Sequence, residues 1–301
     1  MGDRPCSLSL FILKGTAMNV SLDYLTRTRR NHYWVGGEEG QKKIRNLKLG
    51  IAGLGGMGSN IAEIFARLGA GTLRITDPDI IEESNVNRQV IANFLTIGQK
   101  KAIASAEELK KIAPDLELQM STEGIQQSNA LDFVSGMDVI INEIDVYHID
   151  KQIYLIEAAH SIGLPVYTTL VVGLGIHLYK FSPDNPKVSQ DFLRDLIKNP
   201  STEMLVERLG QPYPRYMDGP NLNRFINEVK TGSVPIFGAS TYLGQSLLAI
   251  RVLYDLGFIP IDENIPETPC LPQFLALDPL TLELRVAEIL EDGKFRFCQA
   301  A

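Results

Sequence analysis

An α/β fold, with a doubly wound and mostly parallel sheet extended by C-terminal antiparallel strands, is predicted by two features of this 301-residue chain. Apolar runs of strand length alternate with segments whose apolar residues recur at helical spacing, the pattern of a βαβαβ series. Near the C-terminus, two further strand-like runs flank an Asp-Pro turn and add an antiparallel pair. Composition agrees, because 45% hydrophobic residues, 22% charged residues, 25 Gly and 16 Pro are ordinary globular values that exclude disordered and fibrous classes.

Residues 1–25 read as an N-terminal extension. Its stretch 7–13 is apolar but lacks a basic leader and a small-residue cleavage site, so a short flap or a start at Met18 is expected rather than a signal peptide. Residues 26–301 are expected to form one domain. Strand 49–52 runs into a glycine-rich turn and a helix whose core face carries Ile61, Ile64, Phe65 and Leu68. Strand 72–76 follows. Ala102, Ile103, Ala106 and Leu109 then mark the core face of a second helix, before strands 116–120 and 139–142. A third helix over about 149–161 stops before Gly163 and Pro165, and strand 166–171 comes next. After Lys180 a polar, Pro-punctuated and largely helical insertion occupies 182–231, serving either to bind a partner or to cap the sheet. Residues 243–256 read as an apolar helix, and 274–286 as two strands around Asp278-Pro279.

Lys and Arg number 29 against 36 Asp and Glu, a net charge of −7 that removes the broad attraction on which duplex-DNA binders depend. No apolar run approaches the roughly 20 residues of a membrane span. Cys6, Cys270 and Cys298 are odd in number, far apart and never in a C-x-x-C pair. Neither a disulfide framework nor a four-cysteine zinc site is therefore readable, and a reducing cytoplasm is the expected setting.

Chemistry first enters at Gly53-Leu54-Gly55-Gly56-Met57-Gly58, which follows a buried strand and opens a helix at Ser59. Glycines there let backbone N–H groups approach a phosphate, and the helix N-terminus adds positive potential; alone, the same loop serves as a tight turn. Asp77 lies 24 residues beyond Gly53, at the end of the second strand, placed either to accept from ribose hydroxyls or to cap a helix.

Three further clusters follow in order: Asp77-Pro78-Asp79, then Ser84-Asn85-Val86-Asn87-Arg88-Gln89, then Gly98-Gln99-Lys100-Lys101. The series G-x-G-G-x-G, D-x-D, N-x-x-R-Q and G-x-x-K resembles the adenylating family of ubiquitin-activating E1 enzymes and their bacterial relatives in thiamine and molybdopterin biosynthesis. The resemblance spans about residues 26–286 and implies a Rossmann-like sheet that binds ATP and Mg²⁺. It assigns nucleotide binding to Gly53, Gly55, Gly56, Gly58, Asp77 and Asn85, and places Arg88 and Lys101 on the phosphates. Asp145 would hold Mg²⁺. Arg30, from the run Arg27, Arg29, Arg30, would reach the nucleotide of the neighbouring subunit in a homodimer; the alternative is a basic surface run.

The implied reaction gives these residue types a reason to meet. A carboxylate attacks the α-phosphate of ATP and expels pyrophosphate, so the dominant need is to neutralise concentrated negative charge. A terminal carboxyl, with a reference pKa of about 3.5, is already ionised and needs no general base. His148 and His177 are expected to be structural. The chain departs from the family at Val146, where Asn usually follows the aspartate, and at Asn142 and Glu143, which replace small or acidic residues. No cysteine stands between Cys6 and Cys270, which argues against a thioester relay. The implied acceptor is the C-terminal glycine of a ubiquitin-like or sulfur-carrier protein. The alternatives are a carboxylate on modified tRNA, which would need a concentrated basic face, a non-catalytic nucleotide-binding dimeric scaffold, and, more remotely, a dinucleotide oxidoreductase.

Overall fold

The computed structural model describes residues 23–187, 191, 211–232, 234–261, 265–290 and 294–298. Most of the expected extension, with Cys6 and Met18, and residues 188–190 and 192–210 of the expected insertion lie outside the described residues. Helix α1 (Tyr24–Thr28) passes through a 3-10 turn at Arg29–Val35 into α2 (Gly37–Ile44), which leads to the sheet. Five strands are parallel: β1 (Lys48–Ala52), β2 (Thr72–Thr76), β3 (Glu117–Ser121), β4 (Val139–Asn142) and β5 (Val166–Val172). Antiparallel strands β6 (Gly175–Phe181), β7 (Gln273–Asp278), β8 (Glu283–Ile289) and β9 (Phe295–Phe297) extend it, in the order β3-β2-β1-β4-β5-β6-β7-β8-β9.

Buried parallel strands need cover on both faces. On one face lie α3 (Gly58–Leu68) and α4 (Lys101–Ile112), where Ile61 and Phe65 are fully buried against β1 and β2 side chains; burial of each such side chain is worth about 1.5–3 kcal/mol. On the other lie α5 (Ala130–Val134) and α6 (Ile149–Ser161), which bury Val134, Leu155 and Ile156. Beyond the insertion, α7 (Gly219–Lys230) precedes α8 (Gly238–Asp255), which returns to the first face and packs on α3, β5 and β6.

Two expectations need correction. Ile103 is 40% exposed, because α4 buries Ala102, Ser105 and Leu109 on one side and Ala104 on another, against Ile81 and Ile91, so its two small-residue seams pass on either side of Ile103. Strand β6 was not expected at all, since His177 and Lys180 interrupt its apolar run. All seven of its residues are nevertheless buried, with His177 Nδ1 3.2 Å from the Tyr179 hydroxyl and Lys180 Nζ 3.0 Å from Asp255 Oδ2.

The parallel order places β1 between β2 and β4, so the connections leaving β1 and β4 diverge and open a crevice at their C-terminal ends. The C-terminal end of the insertion reaches the same edge. There the Tyr216 hydroxyl donates to Asp278 Oδ2 (2.5 Å) and accepts from Leu174 N–H (2.8 Å), while the Tyr147 hydroxyl donates to the Val229 carbonyl (3.1 Å).

Candidate active site

The glycine loop leaves β1 at the bottom of this crevice. Gly53 has φ +89°, and a Cβ there would strike the backbone of Glu143; one on Gly58 would strike the Gly53 carbonyl. These two glycines let the loop pack against the β4 connection. Gly56 lies against Arg88, whose Cγ is 3.0 Å from the position a Cβ would take. Asp77 pins the loop from β2: its Oδ2 accepts from Leu54 N–H (2.6 Å) and its Oδ1 from Asp79 N–H (2.8 Å). Burial pushes the Asp77 carboxyl pKa up, and the nearby Lys101 charge opposes that.

Two cations, Lys101 and Arg88, and the carboxylates of Asp79 and Asp145 surround the loop. Lys101 opens α4, is 8% exposed, and pairs through Nζ with Asp79 Oδ2 at 2.9 Å. Its neighbour Lys100 is exposed and donates to the Pro78 carbonyl instead. Arg88 donates through Nη1 to the Ser84 carbonyl (3.1 Å) and to Asn87 Oδ1 (2.9 Å), while its buried Nε has no partner. Burial lowers the Arg88 pKa, and the charge of Asp145 opposes the shift, so the two side chains sense one another electrostatically. Asn85 shapes the turn that carries Arg88: its Oδ1 accepts from Glu82 N–H (3.1 Å) and its Nδ2 donates to Ser84 Oγ (3.3 Å). Asp145 is exposed and accepts from Tyr147 N–H (3.0 Å).

Gly53, Gly55, Gly56, Asp77, Asn85, Arg88, Lys101 and Asp145 thus line one cleft of about 550 Å³. Gly58 stands behind it as loop packing. Arg30 is exposed on the Arg29–Val35 turn and does not line this cleft, whereas Arg27 is committed to Asp115 at 2.9 Å. His148 lies on the cleft rim and His177 in the core. No group of three or more His, Cys, Asp and Glu side chains suited to a metal ion occurs among the described residues.

The sequence pattern of the ThiF family matches residues 28–283. The chain belongs to the ThiF family. Relatives include the adenylyltransferase and sulfurtransferase UBA4 of Candida albicans, 32% identical over 129 residues, 42% of this chain and 30% of that protein. The SAMP-activating enzyme E1 of Haloferax volcanii is 29% identical over 131 residues, 42% of this chain and 48% of that protein. The chain thus spans less than half the length of these relatives. Among solved structures, PaaA superposes with a TM-score of 0.64 at 17% identity, over 91% of this chain and 86% of its own. That likeness shows the α/β fold.

Within this ThiF-family cleft, four side chains had no expected role. Asp79, 63% exposed, presents its carboxylate to Lys101, whereas both Asp77 oxygens are taken by backbone N–H groups. Thr76 Oγ1 and Gln89 Oε1 are buried without partners. Glu143 ends the β4 run, and its Oε1 accepts from Thr169 N–H (3.2 Å), Thr169 Oγ1 (2.9 Å) and Gln245 Nε2 (3.2 Å), joining β4, β5 and α8 under the loop. A charged residue directly after the strand Val139–Asn142, with its three apolar residues, was the one signal available for it.

Burial raises the Glu143 pKa to about 8, against the opposing effect of those hydrogen bonds. Between the ordinary carboxylate range and pH 8 the folded protein keeps a proton that the unfolded chain has released, so stability falls as pH rises through that window. The loss is on the order of 5 kcal/mol at most. Urea unfolding at pH 5 and pH 8.5 should show the decline in wild type and a flatter response in Glu143→Gln; equal slopes would refute it.

Proposed function

We propose that this chain is a Mg·ATP-dependent adenylyltransferase that activates the C-terminal carboxylate of a ubiquitin-like or sulfur-carrier protein, working as a cytosolic homodimer without a cysteine relay. The observation that carries this reading is the single cleft that gathers a glycine loop, Arg88, Lys101 and Asp145 at the diverging ends of β1 and β4. The names of the relatives, an adenylyltransferase and sulfurtransferase and a SAMP-activating enzyme, support the same reaction class.

In this reading a carboxylate oxygen bonds to the α-phosphorus as the bond from that phosphorus to the bridging oxygen breaks, leaving an acyl adenylate and pyrophosphate. No proton need move. Arg88, with an unsatisfied Nε, and Lys101, held by a single exposed carboxylate, are free to turn toward the growing charge of the leaving group. Asp77 braces the loop, and Asp79 is the better-placed acceptor for ribose hydroxyls. The exposed Asp145 carboxylate suits a hard cation that takes one or two carboxylates beside phosphate oxygens, and Mg²⁺ bound there would add charge neutralisation.

ATP–pyrophosphate exchange tests the proposal. Exchange that requires a carrier protein with a free C-terminal glycine is expected; exchange driven by modified tRNA would redirect the acceptor, and ATP binding without exchange would favour a scaffold. Because Arg30 stands outside its own cleft, its proposed place is across a two-fold interface. Mixing inactive Arg30→Ala and Lys101→Ala proteins should then restore about a quarter of wild-type exchange, as half of random pairs carry one intact site of two. Verified heterodimers with no recovery would count against sharing.

Cysteine geometry supports direct release of the adenylate. Cys270 is bridged to Lys180, which pairs with Tyr167 near the start of β5, away from the cleft end, and burial pushes its thiol pKa up. Changing Cys6, Cys270 and Cys298 together to Ser should leave exchange within a few fold in a folded protein. A variant that still makes adenylate but no longer passes its acyl group on would restore the relay.

A further inference from the structure

Gln152, in the first turn of α6, is 9% exposed and lines the cleft together with Asp145. Asn142, the last residue of β4, is fully buried next to it. Gln152 Nε2 donates to the carbonyls of Ile144 (3.0 Å) and Asp145 (3.3 Å), and its Oε1 accepts from Asn142 Nδ2 (3.2 Å). Asn142 Oδ1 in turn accepts from Ile144 N–H (3.3 Å). Each position must both donate and accept, which an amide does and an ionised carboxylate does not. The two side chains form one filled network, and such networks in a low-dielectric interior hold a single geometry.

Two neutral amides thus tie the chain leaving β4 to the start of α6, and the tied stretch carries Asp145. Its other anchors are few. Glu143 N–H donates to the Ala52 carbonyl (2.8 Å), and His148 N–H closes the 3-10 turn Val146–His148 on the Asp145 carbonyl (2.9 Å). Among the described residues, the Asp145 carboxylate itself accepts only from Tyr147 N–H (3.0 Å), so its direction follows from the backbone that Gln152 holds. Helix α6 is fixed in turn, because Ile149, Ile153 and Ile156 are buried in the core with Ile140 of β4. Gln152 is the side chain through which a rigid helix sets the place of an exposed carboxylate.

We infer that Gln152 is a positioning residue for Asp145, aiming its carboxylate at the cation that accompanies the nucleotide phosphates. This rests on reading the cleft as a nucleotide site and Asp145 as a Mg²⁺ ligand. Mg²⁺ demands near-ideal octahedral geometry, so a carboxylate that swings out of place binds it less well. Groups that orient a metal-binding side chain accordingly govern metal affinity without touching the metal. An amide suits this task because it orients Asp145 without adding a charge beside the cation.

Mn²⁺ can stand in for Mg²⁺ as a spectroscopic probe. Electron paramagnetic resonance then measures its affinity for the full chain saturated with a non-hydrolysable ATP analogue, without turnover. Gln152→Met keeps the length of the side chain and removes its donors and its acceptor. It is expected to weaken Mn²⁺ binding about tenfold, while the metal-free affinity for the analogue is little changed. In an Asp145→Asn background the same substitution should lower Mn²⁺ affinity no further, since both residues act through one carboxylate. Gln152→Asn, which draws the amide back by one methylene, should shift Mn²⁺ affinity in the same direction and replaces the methionine variant if that does not fold. Unchanged Mn²⁺ affinity in a folded Gln152 variant would overturn the inference. So would a loss that persists undiminished in the Asp145→Asn background, the mark of a glutamine that only supports the fold. Asp145→Asn protein that binds Mn²⁺ as wild type does would instead overturn the reading of Asp145, and the inference with it.

Discussion

Alanine at Lys101 or at Arg88 is expected to lower carrier-dependent pyrophosphate exchange by about a hundredfold or more while weakening ATP binding much less. In the proposed reaction both cations would face charge that grows as the leaving group departs, so their worth would be greater in the transition state than in the ground state. Lys101 is presently neutralised by Asp79, 2.9 Å away, and Arg88 carries a buried Nε with no acceptor. Each must therefore change partners when a triphosphate arrives, and neither is locked by a buried acid. Lys100→Ala supplies the control: its Nζ donates to the Pro78 carbonyl, and the variant should be mild. Single-turnover exchange with independent ATP titration separates the two effects. An essential Lys100 beside a dispensable Lys101 would shift the register of the motif by one residue.

A loss of comparable size, in stability rather than rate, is expected at Asp255. This last residue of α8 has a side chain 2% exposed, and its Oδ2 accepts from the Tyr167 hydroxyl (2.7 Å) and Lys180 Nζ (3.0 Å). Its Oδ1 accepts from Thr268 N–H (3.1 Å), with Arg251 Nη2 at 3.4 Å. Burial pushes its pKa up, but hydrogen bonds from Tyr167, Thr268 and Lys180 outweigh burial and hold the carboxyl below its ordinary range. A depressed carboxylate stabilises above the unfolded value and loses that contribution as pH falls. Asp255→Ala leaves the enclosed Lys180 with only the exposed Glu267 carboxylate, 3.8 Å away, at a cost of about 3 kcal/mol, a large share of the total stability of a typical domain. The double variant Lys180→Met, Asp255→Leu should recover much of the loss in urea unfolding. A double variant no better than the single one would show that the hydrogen bonds, and not the stranded charge, set the cost.

The parallel half of the sheet was legible because each strand carries its apolar residues in a continuous or alternating run of strand length. Strand β6 was hidden for the opposite reason: His177 and Lys180 look unfit for a core until their partners are known, and Asp255 lies 75 residues from Lys180. The motif spacing brought Arg88, Lys101, Asp145 and the glycine loop together correctly as neighbours. It could not separate Asp77 from Asp79, since the difference lies in which carboxylate the backbone has already engaged. Glu143 and Gln89 escaped for the same kind of reason, their chemistry being decided by which bonds are filled and which are left open. Arg30 remains outside its own cleft, with no side-chain partner among the described residues.

The loop after β1 holds its shape through bonds that involve no ligand. Gly53 N–H donates to the Thr76 carbonyl (2.9 Å), Leu54 N–H to Asp77, and Ser59 N–H to the Gly55 carbonyl (3.0 Å). Fixing a backbone costs on the order of 1–2 kcal/mol of entropy per residue, and here that cost falls on folding. In the proposed reading an arriving phosphate would meet a finished mould and spend little of its binding energy on organising the chain. Arrival and departure of the ligand would then proceed, in that reading, without refolding of the loop.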